Sequence, residues 1–449
     1  MKKYLNLLEG PIFPSLSALA LPIMATSLIQ MAYNLTDMIW IGGLGANAVA
    51  AVGAAGMFMW FSNGLVTLAK MGGQVKVAHA LGAQNHHRAS LYAQSAIQMA
   101  IVFAIAFGVI SVCFAEQMIG FFKLNGASVI ADAENYLVIT CGLVIFPFLN
   151  QVFTGILTAM GNSKTSFVAT AIGLGINIVL DPILIFGFKG LPAMGVIGAA
   201  IATVFAQMVV FCLFLIAVYR DTLVFHDIHI FSRFHAKEMS EIFKIGLPSA
   251  LQNMLFSSIS MVIARFIAGW GDAAVAVQKV GSQIESISWM TAEGYAAALN
   301  SFVAQNHGAR NANRIKQGYR ISMRVMLSWG IFCNLLLVLF PELIFTIFIS
   351  EVDVIPMGVD YLRILGFSQM FVCMEITTAG AFSGLGRTLP PSIVSVTLTA
   401  ARIPLAIVLG NLFGLNGIWW AITISSIAKG ISLFTWFLID AKKPHFLVD

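Results

Sequence analysis

The stretch LPIMATSLIQMAYNLTDMIWIGGLGANAVA, residues 21–50, is the most informative part of the sequence about the fold. It begins with an apolar run long enough to cross about 30 Å of hydrocarbon as a helix, and a glycine turn then leads into a second run. Similar runs follow along the whole 449-residue chain, which is 59% hydrophobic and only 10% charged. A soluble domain carries about 25% charged residues, and the alternating strands of a membrane barrel are absent. The sequence therefore predicts an all-α integral membrane protein.

The apolar runs predict twelve transmembrane helices. Their expected limits are 14–41, 47–72, 88–114, 131–159, 163–188, 191–219, 238–269, 273–303, 312–340, 355–383, 388–411 and 414–439. The connections are short, and the longest hydrophilic stretch joins spans six and seven. We therefore predict an N-terminal lobe over 1–219, a cytoplasmic linker over 220–237 and a C-terminal lobe over 238–449.

The basic residues predict the orientation of the chain. If the N-terminus is cytoplasmic, most of the 25 Lys and Arg residues fall on inner segments, and the outer loops hold only Lys123 and Lys189. This asymmetry follows the positive-inside rule. We expect a multi-pass protein of the plasma (inner) membrane with both termini in the cytoplasm. The net charge of +5 is then an orientation signal, and no nucleic-acid partner is expected.

The opening stretch recurs 226 residues later as LPSALQNMLFSSISMVIARFIAGWGDAAVA, residues 247–276. Apolar runs resemble each other by chance, so the matching Gly, Pro and Asn residues carry the argument. Further matches are Gly82 with Gly308 and Asn85 with Asn311 at the same spacing, Gly155 with Gly380 at 225, and Pro182 with Pro404 at 222. Each repeat has six spans, so the second enters the membrane in the same orientation. The sequence predicts two parallel six-helix lobes related by a pseudo-two-fold axis along the membrane normal, an arrangement typical of secondary transporters.

Nine stretches in order and spacing resemble the multidrug and toxic compound extrusion (MATE) family. They are ALALPIMATSLIQMAYNLTDMIWIGGLGANAVAAVG, HALGAQN, AMGNSKT, NIVLDPILIFG, MGVIGAAIAT, QIESISWM, VAQNHGARN, GLGRT and RIPLAIVLG, and they lie between Ser17 and Ile424. The pair Asp37 and Asp181 resembles the DinF-like branch, whose coupling ion binds in the first lobe. The resemblance implies a twelve-helix antiporter that exchanges organic, often cationic and amphipathic compounds for protons or sodium ions, without a cofactor.

Two carboxylates lie inside predicted spans of the first half, where an ionisable group is costly and indicates function. Tyr33 precedes Asp37 by four residues, and Asn177 precedes Asp181 by four, so each pair shares a helix face. Pro182 donates no backbone hydrogen bond, which frees a carbonyl one turn earlier beside Asp181.

Two further residues join this candidate site through the family resemblance. Thr203 stands where the family has a cation ligand, and Tyr136 matches a tyrosine of the first lobe. Two carboxylates in one dry pocket do not both ionise readily, so one of them can take up a proton. Alternatively, Asp37, Asn177, Asp181 and Thr203 could ligate sodium, or the group could be a purely structural hydrogen-bonded network.

The second half lacks the acids of the first. Ile263 stands opposite Asp37, and Ile403 stands opposite Asp181. Coupling is therefore expected in the first lobe alone.

Three other acids lie in spans of the second half. We expect Glu285 and Glu375 either to contact a cationic substrate, together with Asp37, or to pair with the cations Arg265, Lys279 and Arg402 of the same lobe. Lys429 is expected to reach towards the membrane surface or to fill a polar gap. The roles of Glu293 and Arg402 stay open.

Pro22 interrupts span 1 before Asp37, because proline removes a helix hydrogen bond and permits a kink. We predict that Pro22 is a hinge at which span 1 bends when Asp37 is protonated. Rigid packing of a kinked helix is the alternative.

The sequence offers no signature of an enzyme. GxxxxGK[ST], HExxH and GxSxG motifs are absent, and the five cysteines form neither a zinc pattern nor a disulfide framework. We therefore predict a monomeric efflux antiporter for small organic substrates that contacts membrane lipid. A flippase for lipid-linked oligosaccharides or lipids is the first alternative, and an intramembrane enzyme or a channel is the second.

Overall fold

The computed structural model describes residues 5–122, 124, 126–188, 190, 192–221, 223–228, 234–348, 351–443 and 446, with the side chains of residues 35, 46 and 272 left aside. Lys123 and Lys189, on which the predicted orientation rests, lie outside the described residues. So do residues 222 and 229–233 of the predicted linker.

Helices make up most of the described chain, as the apolar runs predict. They are α1 (Ile12–Gly42), α2 (Ala46–Gly82), α3 (His86–Cys113), α4 (Ala115–Gly120), α5 (Ala127–Gly142), α6 (Ile145–Ala159), α7 (Ser163–Phe186), α8 (Gly195–Tyr219), α9 (Ala236–Ala268), α10 (Asp272–Gly308), α11 (Ala312–Leu339), α12 (Pro341–Phe345), α13 (Ile355–Gly366), α14 (Gln369–Gly384), α15 (Leu389–Ala400), α16 (Arg402–Phe413) and α17 (Leu415–Asp440).

Nine stretches of helix among the described residues are long and apolar enough to cross a membrane, with α15 and α16 counted as one. Two bent pairs each add a broken span, α5 with α6 at 43° and α13 with α14 at 44°. The predicted eighth span corresponds to α10, a 37-residue helix whose Gln, Ser and Glu residues make it more polar. The observed helices are therefore consistent with twelve spans.

The two halves share local backbone geometry at matching positions. Gln84 and Arg310 both adopt a left-handed conformation, with φ of 57° and 54°. The next residues, Asn85 and Asn311, both cap the following helix by accepting a hydrogen bond from the backbone three residues later. Since left-handed backbone is uncommon outside glycine, its recurrence supports the duplication read from the sequence.

The contacts within the chain divide it into two units. The first unit comprises residues 1–5 and 25–247, and the second comprises 6–24 and 248–449. Two helices are shared, because α1 is divided just after Pro22 and α9 at Pro248. Residues 6–24 belong to the second unit although they were predicted in the N-terminal lobe, and residues 238–247 belong to the first unit although they were predicted in the C-terminal lobe. In both cases the helix continues through a proline into the other unit.

The start of α9 is held in the first unit by a carboxylate. Glu241 Oε2 accepts a hydrogen bond from Lys76 Nζ at 2.8 Å and another from the Tyr92 hydroxyl at 2.6 Å. Arg88 donates to the same hydroxyl at 3.3 Å. The contacts fasten the first turns of α9 to α2 and α3.

We expect Glu241→Gln to destabilise the protein by about 1.5–3 kcal/mol, the usual contribution of a hydrogen bond to a charged group. The amide keeps the shape of the carboxylate and loses the ion pair with Lys76. Thermal denaturation in detergent would measure the loss. Glu342→Gln, which changes an exposed acid, is the control, and equal stability of the two variants would contradict the prediction.

The start of α1 is held in the second unit by an arginine. Arg314 donates to the carbonyl oxygens of Leu7 at 3.2 Å, Glu9 at 3.0 Å and Gly10 at 3.0 Å. Arg314 and Arg88 occupy matching positions in the two repeats. Arg314, in the second repeat, therefore lies close to the start of α1, the first helix of the first repeat. Arg88, in the first repeat, lies close to the start of α9, the first helix of the second repeat.

Candidate functional site

The candidate site of the first half is assembled from four helices of the first unit. Its residues are Tyr33 and Asp37 on α1, Tyr136 on α5, Asn177 and Asp181 on α7, and Thr203 on α8. The structure brings all six sequence-predicted residues together, although they are spread over a long stretch of sequence.

The six side chains interact with one another. Asp37 and Asp181 interact electrostatically, and each also interacts with the two tyrosines. Thr203 lies between the hydroxyls of Tyr33 and Tyr136 and interacts with both. The two tyrosines and the threonine therefore form one polar cluster with both carboxylates, and we refer to this cluster as the acidic pocket.

The carboxylates of this pocket lack the partners that buried carboxylates usually have. Asp181 is 1% exposed, and neither of its oxygens accepts a hydrogen bond within the described part of the chain. Asp37 Oδ1 likewise accepts no hydrogen bond there, and the amide nitrogen of Asn177 donates none of good geometry, although the Asn177 side chain lies close enough to Asp181 to interact with it. A buried carboxylate without a counter-ion or donor is costly, so the pocket is suited to a proton or a small cation.

The proline beside Asp181 lies within a continuous helix. Pro182 is inside α7, which runs on to Phe186. Proline cannot donate to the carbonyl four residues earlier, which is that of Ile178. The free carbonyl of Ile178 therefore adds an oxygen ligand to those of Asp181 and Asn177. Among the described residues, no group of three or more His, Cys, Asp or Glu residues is suited to a metal ion.

The second unit contains a different polar cluster around Glu285. The Tyr361 hydroxyl donates a short hydrogen bond to one Glu285 oxygen, and Gln369 Nε2 donates to the other at 3.2 Å. Tyr361 lies 225 residues after Tyr136, at the matching repeat position. The second repeat therefore has a tyrosine at the same position, but the side chains that this tyrosine contacts differ from those around Tyr136.

A buried arginine lies close to this cluster. Arg402 is 7% exposed, and it donates to the hydroxyls of Ser425 at 2.6 Å and Ser426 at 3.0 Å. Ser425 matches Thr203 of the first repeat. Arg402 also interacts electrostatically with Glu375 and, less strongly, with Glu285. The second unit therefore has a cation close to the position that matches the acidic pocket.

Glu375 forms an ion pair that the sequence analysis did not assign. Lys429 Nζ lies 3.1 Å from Glu375 Oε2, and both side chains are largely buried. Lys429 thus fills an internal polar gap and does not reach the membrane surface. The expected partners Arg265 and Lys279 are exposed on their helices, and no ion pair of either is found in the described residues, so that part of the expectation is wrong.

The same two positions of the first repeat hold a neutral pair. Asn150 and Gln207 match Glu375 and Lys429, and Asn150 Nδ2 donates to Gln207 Oε1 at 2.9 Å. The duplication therefore preserves a polar contact between two helices while its chemistry differs between the units.

Sequence reasoning missed Tyr361, Gln369 and the pairing of Lys429. The repeat match with Tyr136 is a signal that could have identified Tyr361. The contact between Lys429 and Glu375 has no local signal, because it depends on how α14 and α17 face each other.

A family model, named relatives and solved structures all match this chain over most of its length. The MatE family model matches residues 22–183 and again 248–408. A Thermotoga maritima protein named probable multidrug resistance protein NorM is 29% identical, over 97% of this chain and 95% of its own length. Multidrug export protein MepA of Staphylococcus aureus is 23% identical, over 93% and 91%. Crystal structures of MATE in the straight and in the bent conformation each superpose with a TM-score of 0.90 at 24% identity, over 98% of both chains.

Proposed function

Because the chain belongs to the MatE family of membrane transporters, we propose that it exports small organic compounds in exchange for protons or sodium ions. It is a transporter and not an enzyme. The observation that carries the proposal is the pair of carboxylates Asp37 and Asp181. They lie together on membrane helices, and three of their four oxygens accept no hydrogen bond from the described residues.

The pocket supplies a physical basis for coupling. An empty pair of carboxylates is costly in a low-dielectric interior, so it binds a proton or a cation from one side of the membrane. A loaded pair is closer to neutral and is compatible with a different helix arrangement. Loading and release on opposite faces then drive export by alternating access.

Either ion is compatible with the residues present. A proton needs only one of the two carboxylates. Sodium would use oxygens of Asp37, Asp181, Asn177 and Thr203, and a backbone carbonyl next to Pro182 could add one more.

The substrates we propose are cationic and amphipathic. The relatives NorM and MepA are named as multidrug resistance and export proteins, and buried acids attract cations. Glu285 is bound directly by neutral partners only, Tyr361 and Gln369, whereas Glu375 is neutralised by Lys429. We therefore favour Glu285 and Asp37 over Glu375 as substrate contacts.

The decisive experiment uses the purified protein in proteoliposomes. A proton gradient and a sodium gradient, each imposed separately, are tested for uptake of a cationic dye. We expect one gradient to drive uptake, and a dissipated gradient to stop it. Uptake that does not depend on either gradient would refute coupled antiport.

We also propose that the protein lies in the plasma membrane as a monomer with both termini cytoplasmic.

Pro22 is the proposed hinge of α1. It lies inside the helix, close to the point where α1 passes from the second unit to the first. MATE structures similar to this chain are described as a straight and a bent conformation.

We expect Pro22→Ala to reduce gradient-driven uptake at least about tenfold, since alanine restores the missing hydrogen bond and stiffens the helix. The rate of dye uptake at a fixed gradient measures the effect. Pro14→Ala, near the start of the same helix where proline is tolerated, is the matched control. Full uptake by Pro22→Ala with unchanged ion dependence would leave α1 as a rigid kinked helix.

A further inference from the structure

One face of α11 carries three cations, each one helical turn apart. They are Lys316, Arg320 and Arg324, spaced by four residues, which places them on one face of the helix. Arg320 and Arg324 are exposed, and neither forms an ion pair or a side-chain hydrogen bond within the described residues. Lys316 lies over the ring of Phe446, 5.3 Å from its centroid. We refer to these three residues as the cationic face.

The matching face of α3 is built differently. The counterparts of the three cations are Ser90, Gln94 and Gln98, and each is 3% exposed. Ser90 donates a hydrogen bond of 2.7 Å to the Val224 carbonyl, so the chain after α8 covers this part of α3. The cations therefore occur only in the second of the two matching helices. The fold that α3 and α11 share does not require them.

The cationic face continues into an exposed apolar face of the same helix. Ser328 follows one turn after Arg324 and is exposed. Ile331 is 44% exposed and Leu335 is 52% exposed, and both continue the line of the cations. The opposite side of α11 is buried within the second unit, at residues such as Ser322 and Met326.

The dimensions of this surface match one leaflet of a bilayer. A helix rises 1.5 Å per residue, so about 16 Å separates Arg324 from Leu335. The hydrocarbon core of one leaflet is about 15 Å thick. A ligand that fills the surface must carry a negative group at one end and an apolar chain of that length.

We propose that this surface of α11 binds an anionic phospholipid of the cytoplasmic leaflet. The phosphate lies between the guanidinium groups of Arg320 and Arg324, with Lys316 adding charge behind it. Planar guanidinium groups bind phosphate oxygens in pairs. The acyl chains lie along Ile331 and Leu335, and Ser328 faces the polar backbone of the lipid.

The test is native mass spectrometry of the delipidated full-length protein, titrated with phosphatidylglycerol or phosphatidylcholine. We expect the wild type to bind its first phosphatidylglycerol at least about tenfold more tightly than phosphatidylcholine, since each cation near a lipid surface adds attraction. Arg320→Gln/Arg324→Gln should lose this preference while still binding phosphatidylcholine. Arg320→Lys/Arg324→Lys should keep part of it.

A matched control removes the same charge elsewhere. Lys164→Gln/Arg310→Gln changes two cations outside α11 and should keep the full preference. An equal loss in this control, or an unchanged preference in Arg320→Gln/Arg324→Gln, would overturn the proposal. So would competition by soluble glycerol phosphate at the same concentration as the lipid, because the apolar face would then contribute nothing.

Discussion

Asp37→Asn is expected to abolish gradient-driven dye uptake in proteoliposomes, and Asp181→Asn is expected to do the same. The amide has nearly the shape of the carboxylate, but it neither takes up a proton at ordinary pH nor offers a charged ligand to a cation. Uptake should fall to the level of liposomes without protein, because the exchange of ions is then uncoupled from the substrate.

The stability of the same variants should change in the opposite direction. Three oxygens of the two carboxylates have no hydrogen-bond partner in the described chain, so the charge contributes little to holding the fold. Removing a buried unpartnered charge lowers a cost of folding. We expect both variants to be at least as thermostable in detergent as the wild type.

The combination of lost transport and retained stability separates a functional site from a structural network. Glu116→Gln, which alters an exposed acid of α4 in the same unit, should leave transport and stability unchanged. Undiminished coupled uptake by Asp37→Asn would refute the assignment of this pocket. Loss of both transport and stability would instead favour the structural network.

Lys429→Gln is expected to cause the largest loss of stability of any single substitution proposed for this protein. Glu375 would remain buried with only the longer-range attraction of Arg402, and breaking a buried ion pair from one side costs about 3–5 kcal/mol. Thermal unfolding followed by size-exclusion chromatography in detergent measures the loss. Lys279→Gln, which changes an exposed cation of the same unit, should have little effect.

The first repeat supplies a design for rescue. Glu375→Asn/Lys429→Gln recreates the neutral pair that Asn150 and Gln207 form at the matching positions. We expect the double variant to recover most of the stability, since two amides need no charge compensation. A double variant as unstable as Lys429→Gln would show that the ion pair itself is required.

The double variant also decides the role of Glu375. We expect it to transport a cationic dye nearly as well as the wild type, because Lys429 already neutralises the acid. A well-folded double variant that no longer transports the dye would instead identify Glu375 as a substrate contact.

Much of the architecture could be predicted from the sequence. Apolar runs of the right length predict membrane helices wherever they occur, and the spaced Gly, Pro and Asn residues predict the duplication. The acidic pocket was also predictable, because Asp37 and Asp181 are conspicuous in apolar surroundings and their neighbours four residues earlier share a helix face. Hydropathy alone was less informative for α10, which is helical although many of its residues are polar.

The division of the chain into units was not predictable in the same way. Pro22 and Pro248 are visible in the sequence, but a proline does not reveal which neighbours the helix on either side of it will contact. The structure assigns residues 6–24 to the second unit and 238–247 to the first. Contacts such as those of Arg314 and Glu241 decide this, and they join residues far apart in the chain.

The residues and their spacing are enough to predict a duplicated helical membrane protein with an acidic pair in its first half, because helix length, turns and isolated charges are local properties. The resemblance to the MATE family adds the prediction of transport. The contact between Glu375 and Lys429, and the lack of hydrogen-bond donors to three oxygens of the acidic pair among the described residues, become visible only in the folded chain. The physical reason is that such pairings depend on the rotation and depth of neighbouring helices. Many rotations satisfy the same apolar pattern, and only contact between the helices selects one of them.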